Sequence, residues 1–130
     1  MKRYLIDSNV IIHYIGYQFT SVQKQKLDEI LDGFFHYSVI SRIEVLNDQK
    51  ADHSEYNKLV RFLNLGTQHD VDIIIGDKVI ELRKVITKRK LFDMIIAATA
   101  LVNNCTLLTQ NIADFKNIPG LIVENPHDWI

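Results

Sequence analysis

At four places in this chain an acidic or amide side chain stands beside apolar residues near the end of an element. Asp7 closes Tyr4-Leu5-Ile6, Glu44 follows Arg42-Ile43, Asp93 opens the apolar run from Met94 to Val102, and Asn111 with Asp114 follows Leu107-Leu108-Thr109. A helix as apolar as 94–102 is buried on most sides, and its first turn carries the positive end of the backbone dipole, so an acid there looks outward from the core. Two carboxylates about 5 Å apart repel by roughly 3 kcal/mol at an effective dielectric near 20, so three or four of them together are unfavourable as bare anions. A hard divalent cation relieves that repulsion, and an all-oxygen donor set points to Mg2+, with Mn2+ as the substitute. Such ions orient a water, lower its pKa and stabilise charge on a leaving oxygen, which is the apparatus of phosphodiester hydrolysis.

The elements that must position these groups are legible as alternating patterns. Strand candidates are Lys2 to Ile6, Tyr37 to Val39, Asp72 to Ile75, Leu107 to Leu108 and Leu121 to Val123. Helical patterns lie between them. Ser8 or Asn9 caps a short helix through Tyr14, and Val22 to Leu31 continues helical after a break near Gly16. Ser41 caps Arg42 to Asn47, Glu55 to Leu65 is amphipathic, and Asp77 caps a helix whose Val79, Leu82, Val85 and Ile86 share a face. Strands separated by helices predict an α/β fold, a three-layer α/β/α sandwich around a mostly parallel sheet, whose functional crevice lies beyond the carboxyl ends of the strands. Asp7 ends the first strand, Glu44 lies on the helix just after the second, Asp93 opens the buried helix, and Asn111 with Asp114 follows the strand at 107–109, so all qualify by position for that crevice. Asp28, Glu29, Asp48, Asp52 and Glu55 instead sit in polar stretches that read as solvent-facing.

The totals narrow the class. A chain of 130 residues, 47% hydrophobic and 24% charged, fits one globular domain spanning residues 1–130. Its single cysteine, Cys105, cannot form an internal disulfide and lies among apolar residues, which fits a reduced thiol and a cytoplasmic location. Met1-Lys2-Arg3 begins like a signal peptide, but Asp7 interrupts the apolar stretch, so export is not expected. The run from Met94 to Val102 is about half of the roughly 20 residues that cross a bilayer, so no membrane association is expected. With a net charge of −1, contact with phosphate backbones must come from a local patch; Lys84, Lys88, Arg89 and Lys90, just before Asp93, supply one candidate, whose plainer reading is a solvated helix end with cations at the negative dipole terminus.

Four segments together resemble the PIN-domain ribonucleases, in particular the VapC-type toxins of bacterial toxin–antitoxin pairs. They are Leu5-Ile6-Asp7-Ser8-Asn9-Val10-Ile11, Ser41-Arg42-Ile43-Glu44-Val45-Leu46, Leu91-Phe92-Asp93-Met94-Ile95-Ile96-Ala97-Ala98-Thr99-Ala100, and Leu107-Leu108-Thr109-Gln110-Asn111-Ile112-Ala113-Asp114-Phe115. The resemblance implies a magnesium-dependent endoribonuclease. Its acidic site would be Asp7, Glu44 and Asp93, with Asp7 and Asp93 the principal metal ligands, and Asn9 and Thr109 would orient carboxylates or phosphate. It also implies a homodimer silenced by a small antitoxin whose inserted segment brings an Arg or Lys to the carboxylates. Three positions depart from the pattern. Ser8 replaces a threonine and keeps its hydroxyl, Phe92 stands where proline is common, and Thr109-Gln110-Asn111 lacks a cation and leaves an amide at the fourth acidic position, for which Asp114 could compensate.

Plainer roles compete for the same residues. Asp7 could only cap a helix, though Ser8 and Asn9 would make it redundant; Glu44 could complete a Ser41-x-x-Glu44 capping box; Asp93 could only offset a dipole. The five histidines have no zinc-type spacing, and among them only His13 lies near a candidate residue. A dehalogenase-like phosphatase would need a second Asp where Asn9 stands, and neither a glycine-rich phosphate loop nor a Gly-x-Ser-x-Gly elbow occurs. The surviving alternative is a catalytically inactive module of the same fold that binds RNA or a protein partner.

Overall fold

The computed structural model describes residues 2–47 and 52–130, so Asp48 lies outside the described residues. Five short strands, β1 (Arg3–Ile6), β2 (Phe35–Ser38), β3 (Thr67–His69), β4 (Cys105–Leu108) and β5 (Val123–Glu124), pair in the order β3-β2-β1-β4-β5. Every pairing is parallel. Parallel neighbours need crossovers, which are supplied by α1 (Ser8–Ile15), α2 (Ser21–Asp32), α3 (Val39–Leu46), α4 (His53–Asn64), α5 (Ile73–Arg83), α6 (Leu91–Val102) and α7 (Ile112–Phe115).

Alternation along the central strands sends side chains to two cores. Leu5 and Leu107 pack with Ile75, Val79 and Leu82 of α5 and Met94, Ile96, Ala97, Ala98 and Ala100 of α6. Ile6 and Leu108 face Val10 and Ile11 of α1, Leu27 of α2 and Leu59, Phe62 and Leu63 of α4. The expected sandwich is therefore present, and each fully buried Leu or Ile in it contributes about 1.5–3 kcal/mol over leaving it in water. The alanines let α6 lie close to the sheet, and Asn104, in the left-handed region at φ 54°, ends that helix and turns the chain into β4.

Three expectations about elements are corrected. Residues 72–75 are not a strand: Asp72 accepts a hydrogen bond from the Ile75 amide at 2.9 Å and caps α5, so Asp77 lies inside that helix rather than capping it, and the strand falls earlier at β3. The cap of α3 is Ser38, whose hydroxyl accepts from the Ile40 amide, and Ser41 sits one turn inside, so Val39 starts a helix instead of ending a strand and no Ser41–Glu44 capping box forms. Asp7, not Ser8 or Asn9, is the cap of α1.

The strand order fixes where a site can be. The chain builds β1, β2 and β3 to one side and then returns to lay β4 and β5 on the other side of β1, so the order reverses between β1 and β4. At such a reversal the loops leaving two neighbouring strands diverge and open a crevice at their carboxyl ends. Asp7 and Thr109 are the residues that follow those two strands.

Candidate active site

Asp7 caps α1 and is only 4% exposed, and both of its carboxylate oxygens accept hydrogen bonds. Oδ1 accepts from the Ser8 amide at 2.8 Å; Oδ2 accepts from the Thr109 hydroxyl at 2.8 Å and from the Asn9 side-chain amide at 3.3 Å. Asn9 Nδ2 also reaches Thr109 Oγ1 at 3.3 Å, while its Oδ1 accepts from the Gln110 amide and Thr109 Oγ1 accepts from the Asn111 amide, each at 3.1 Å. The loop after β1 is thus stitched to the loop after β4 through one acid. Burial pushes the Asp7 carboxyl above its ordinary value; the hydrogen bonds from Thr109 and Ser8 oppose that rise, and the charge of Asp93 adds to it.

A cleft of about 470 Å³ opens beside this network, lined by Glu44, Lys90, Leu91, Phe92, Asp93, Asn111 and Asp114. Glu44 comes from the last turn of α3, Asp93 from the first turn of α6, and Asn111 and Asp114 from the start of α7. Desolvation raises the Glu44 carboxyl, with Asp7 and Asp93 contributing as like charges. Asp93 is also raised, first by burial and then by Asp114, while Lys90 and Arg89 pull it back. Asp7, Glu44, Asp93 and Asp114 therefore share one field, although they come from four separate parts of the chain.

Of the basic segment, Lys88 and Lys90 are exposed, whereas Arg89 is half-buried and occupied. Its guanidinium donates to the Ala113 carbonyl at 2.5 Å and to the Lys116 carbonyl at 3.0 Å. Those carbonyls belong to the C-terminal end of α7, so Arg89 ties the segment before α6 to the turn that carries Asp114. Nothing in the sequence marks this, because the acceptors are backbone atoms. Nor does sequence reveal that Ser41, one turn before Glu44, buries a hydroxyl with no hydrogen-bond partner. His13 is paired with His127, Nδ1 to Nε2 at 2.9 Å, and does not join the carboxylates.

The donors are oxygen throughout, which suits Mg2+ or Mn2+. Among the described residues no three His, Cys, Asp or Glu side chains come together as one ligand group, so the cluster is looser than the sequence implies. Mg2+ takes one or two carboxylates and fills its remaining positions with water or phosphate oxygens, so it asks for fewer protein ligands than such a three-residue group would supply.

Comparison with known proteins gives concordant likenesses. The PIN domain family matches residues 4–121. A stretch of 33 residues is 54% identical to Ribonuclease VapC2 of Rickettsia felis and spans 25% of either chain. The solved VapBC2 complex from Rickettsia felis, bound to a DNA fragment from its promoter, superposes with a TM-score of 0.81 over 98% of both chains at 26% identity. A toxin–antitoxin complex from Klebsiella pneumoniae gives 0.75 at 27% identity, over 95% of this chain and 97% of that one. A DNA-bound VapBC from Salmonella typhimurium shares the fold, with a TM-score of 0.78 over 97% of this chain and 99% of that one at 17% identity.

Proposed function

The chain belongs to the PIN domain family, and from that premise we propose that it is a magnesium-dependent endoribonuclease, the toxin of a toxin–antitoxin pair. The observation that carries this reading is the buried Asp7 carboxylate, fixed by Thr109 and Asn9 beside a cleft lined by Glu44, Asp93 and Asp114. A purely structural cap would need neither the threonine nor the like-charged neighbours, whose mutual repulsion lowers stability unless something offsets it.

Asp7 and Asp93 would hold the ion, with Glu44 sharing the site and Asp114 facing it from α7. When bound, Mg2+ or Mn2+ supplies an acidified water and neutralises charge at the leaving oxygen. Thr109 and Asn9 keep the Asp7 oxygens in one orientation, so that carboxylate needs no rearrangement as the reaction proceeds. Glu44 reaches solvent and holds its proton more tightly than an ordinary glutamate, which suits it to accept a proton from the attacking water. Lys88 and Lys90 contact the RNA backbone, Asn111 contacts substrate at the mouth of the cleft, and Arg89 acts by holding α7 in place.

Cutting of structured RNA with Mg2+, Mn2+ or a chelator tests the reading. Asp7→Asn and Asp93→Asn are each expected to lower the rate by a hundredfold or more. Equal cutting by wild type and both variants assigns the activity elsewhere, and RNA binding without metal-dependent cutting leaves the inactive binding module. The partner is a small antitoxin that places an Arg or Lys among the carboxylates. Purified together with the product of a small reading frame beside its own, the chain should lose its nuclease activity; undiminished cutting in that complex removes the toxin role while leaving the chemistry intact.

A further inference from the structure

The cleft wall carries an apolar island. Phe92 is 60% exposed and Leu91 is 54% exposed, directly before Asp93, while the rest of the lining is Glu44, Lys90, Asp93, Asn111 and Asp114. An aromatic ring left in water forgoes the transfer free energy that burial would give, and nothing else in the described chain covers it. The helix gains little from it either, since a phenylalanine in the first turn neither caps α6 nor pre-sets its backbone as a proline would.

Building on the ribonuclease reading above, we propose that Phe92 is a stacking platform for one unpaired RNA base next to the phosphate that is cut, a substrate-positioning residue on the cleft wall. The ring lines the same cleft as the carboxylates, and Lys90 on that wall offers a cation for the adjoining phosphate. An unpaired base presents a π face that stacks on an aromatic side chain, and its polar edges fit a surface of amide, ammonium and carboxylate groups. In a duplex both faces are already stacked on neighbouring bases, and the A-form groove does not present them to a side chain in a cleft. An apolar protein side chain fits this surface less well, because five of the seven lining residues are charged or polar.

The test uses the full chain with Mg2+ and a short RNA that it cuts at one position. That RNA is supplied intact, with the base on either side of the cut removed, and annealed to its complement. Phe92→Ala should lower kcat/KM on the intact strand roughly ten- to hundredfold. Removing the stacked base should lower the wild-type rate by a similar factor and leave Phe92→Ala almost unaffected, while Phe92→Trp restores the rate and the annealed RNA is cut slowly by all forms. Losses that multiply independently, or a duplex cut as fast as the single strand, overturn the proposal. So does a Phe92→Ala variant that cuts normally but resists a protein inhibitor, since the ring would then belong to a protein contact. A 2-aminopurine placed beside the cut separates this proposal from the reading it builds on. Cutting with no Phe92-dependent quenching removes the stacking alone, quenching without metal-dependent cutting removes the catalysis alone, and neither signal removes both.

Discussion

Glu44 ends a helix where the backbone dipole disfavours negative charge, and burial, Asp7 and Asp93 all push its carboxyl in the same direction, above the ordinary value. The folded protein therefore binds this proton more tightly than the unfolded chain does, so stability is greater below the unfolded carboxylate range and falls as pH rises through the raised value. At neutral pH the charged form costs stability. Glu44→Gln should therefore raise the metal-free Tm by roughly 1–2 °C, about 0.5 kcal/mol after allowance for solvent screening, and the gain should shrink as the pH is lowered into the carboxylate range. Thermal melts at two pH values with chelator check this; an unchanged or lower Tm at neutral pH would show that Glu44 is not held in a repulsive field. Asp7, Asn9 and Thr109 were legible in the sequence because each stands within three residues of a strand end and has a side chain suited to its bonds. Arg89 was not, because its partners lie 24 and 27 residues away and are carbonyls that every residue possesses.

At the scale of elements, Arg89 ties the segment that enters α6 to the C-terminal end of α7, and both helices line the cleft. Arg89→Gln should lower kcat about ten- to hundredfold, as loss of a group that orients a ligand does, with little change in KM, and Arg89→Lys should recover part of it. Lys88→Ala combined with Lys90→Ala should instead raise KM and flatten the dependence of binding on salt. Steady-state kinetics at two ionic strengths separate the two cases, and an Arg89→Gln variant that changes only KM would return that residue to the substrate. The elements themselves could be read wherever one pattern dominated, as in α6 or β4. Residues 72–75 misled because Asp-Ile-Ile-Ile fits a buried strand as well as a helix start, and only the capping bond of Asp72 decides between them. Ser41 misled in the same way, since a serine directly before Arg42–Asn47 fits a cap and nothing in the sequence marks Ser38 as the hydroxyl that meets the free amide.

For the whole molecule, α5 turns Ile73, Ile74 and Ile80 to solvent at 78%, 60% and 61% exposure, an apolar strip that neither core covers. The homodimer that the family resemblance implies would use this strip. Sedimentation should give about twice the 15.1 kDa chain mass, and Ile80→Asp should return it to a monomer that keeps the wild-type circular dichroism; a wild-type monomer at micromolar concentration would exclude this surface. The alternation of strands and helices was enough to foresee two covered faces, but the order of strands was not, because pairing between β1 and β4 depends on contacts a hundred residues apart. That span also bears on how the protein is made. A ribosome lays down Asp7 102 residues before the Thr109 hydroxyl that sets it. In a growing chain the Asp7 carboxylate therefore stays unset until Thr109 has been made and β4 has paired with β1, so a partly synthesised copy lacks the arrangement on which the proposed chemistry depends.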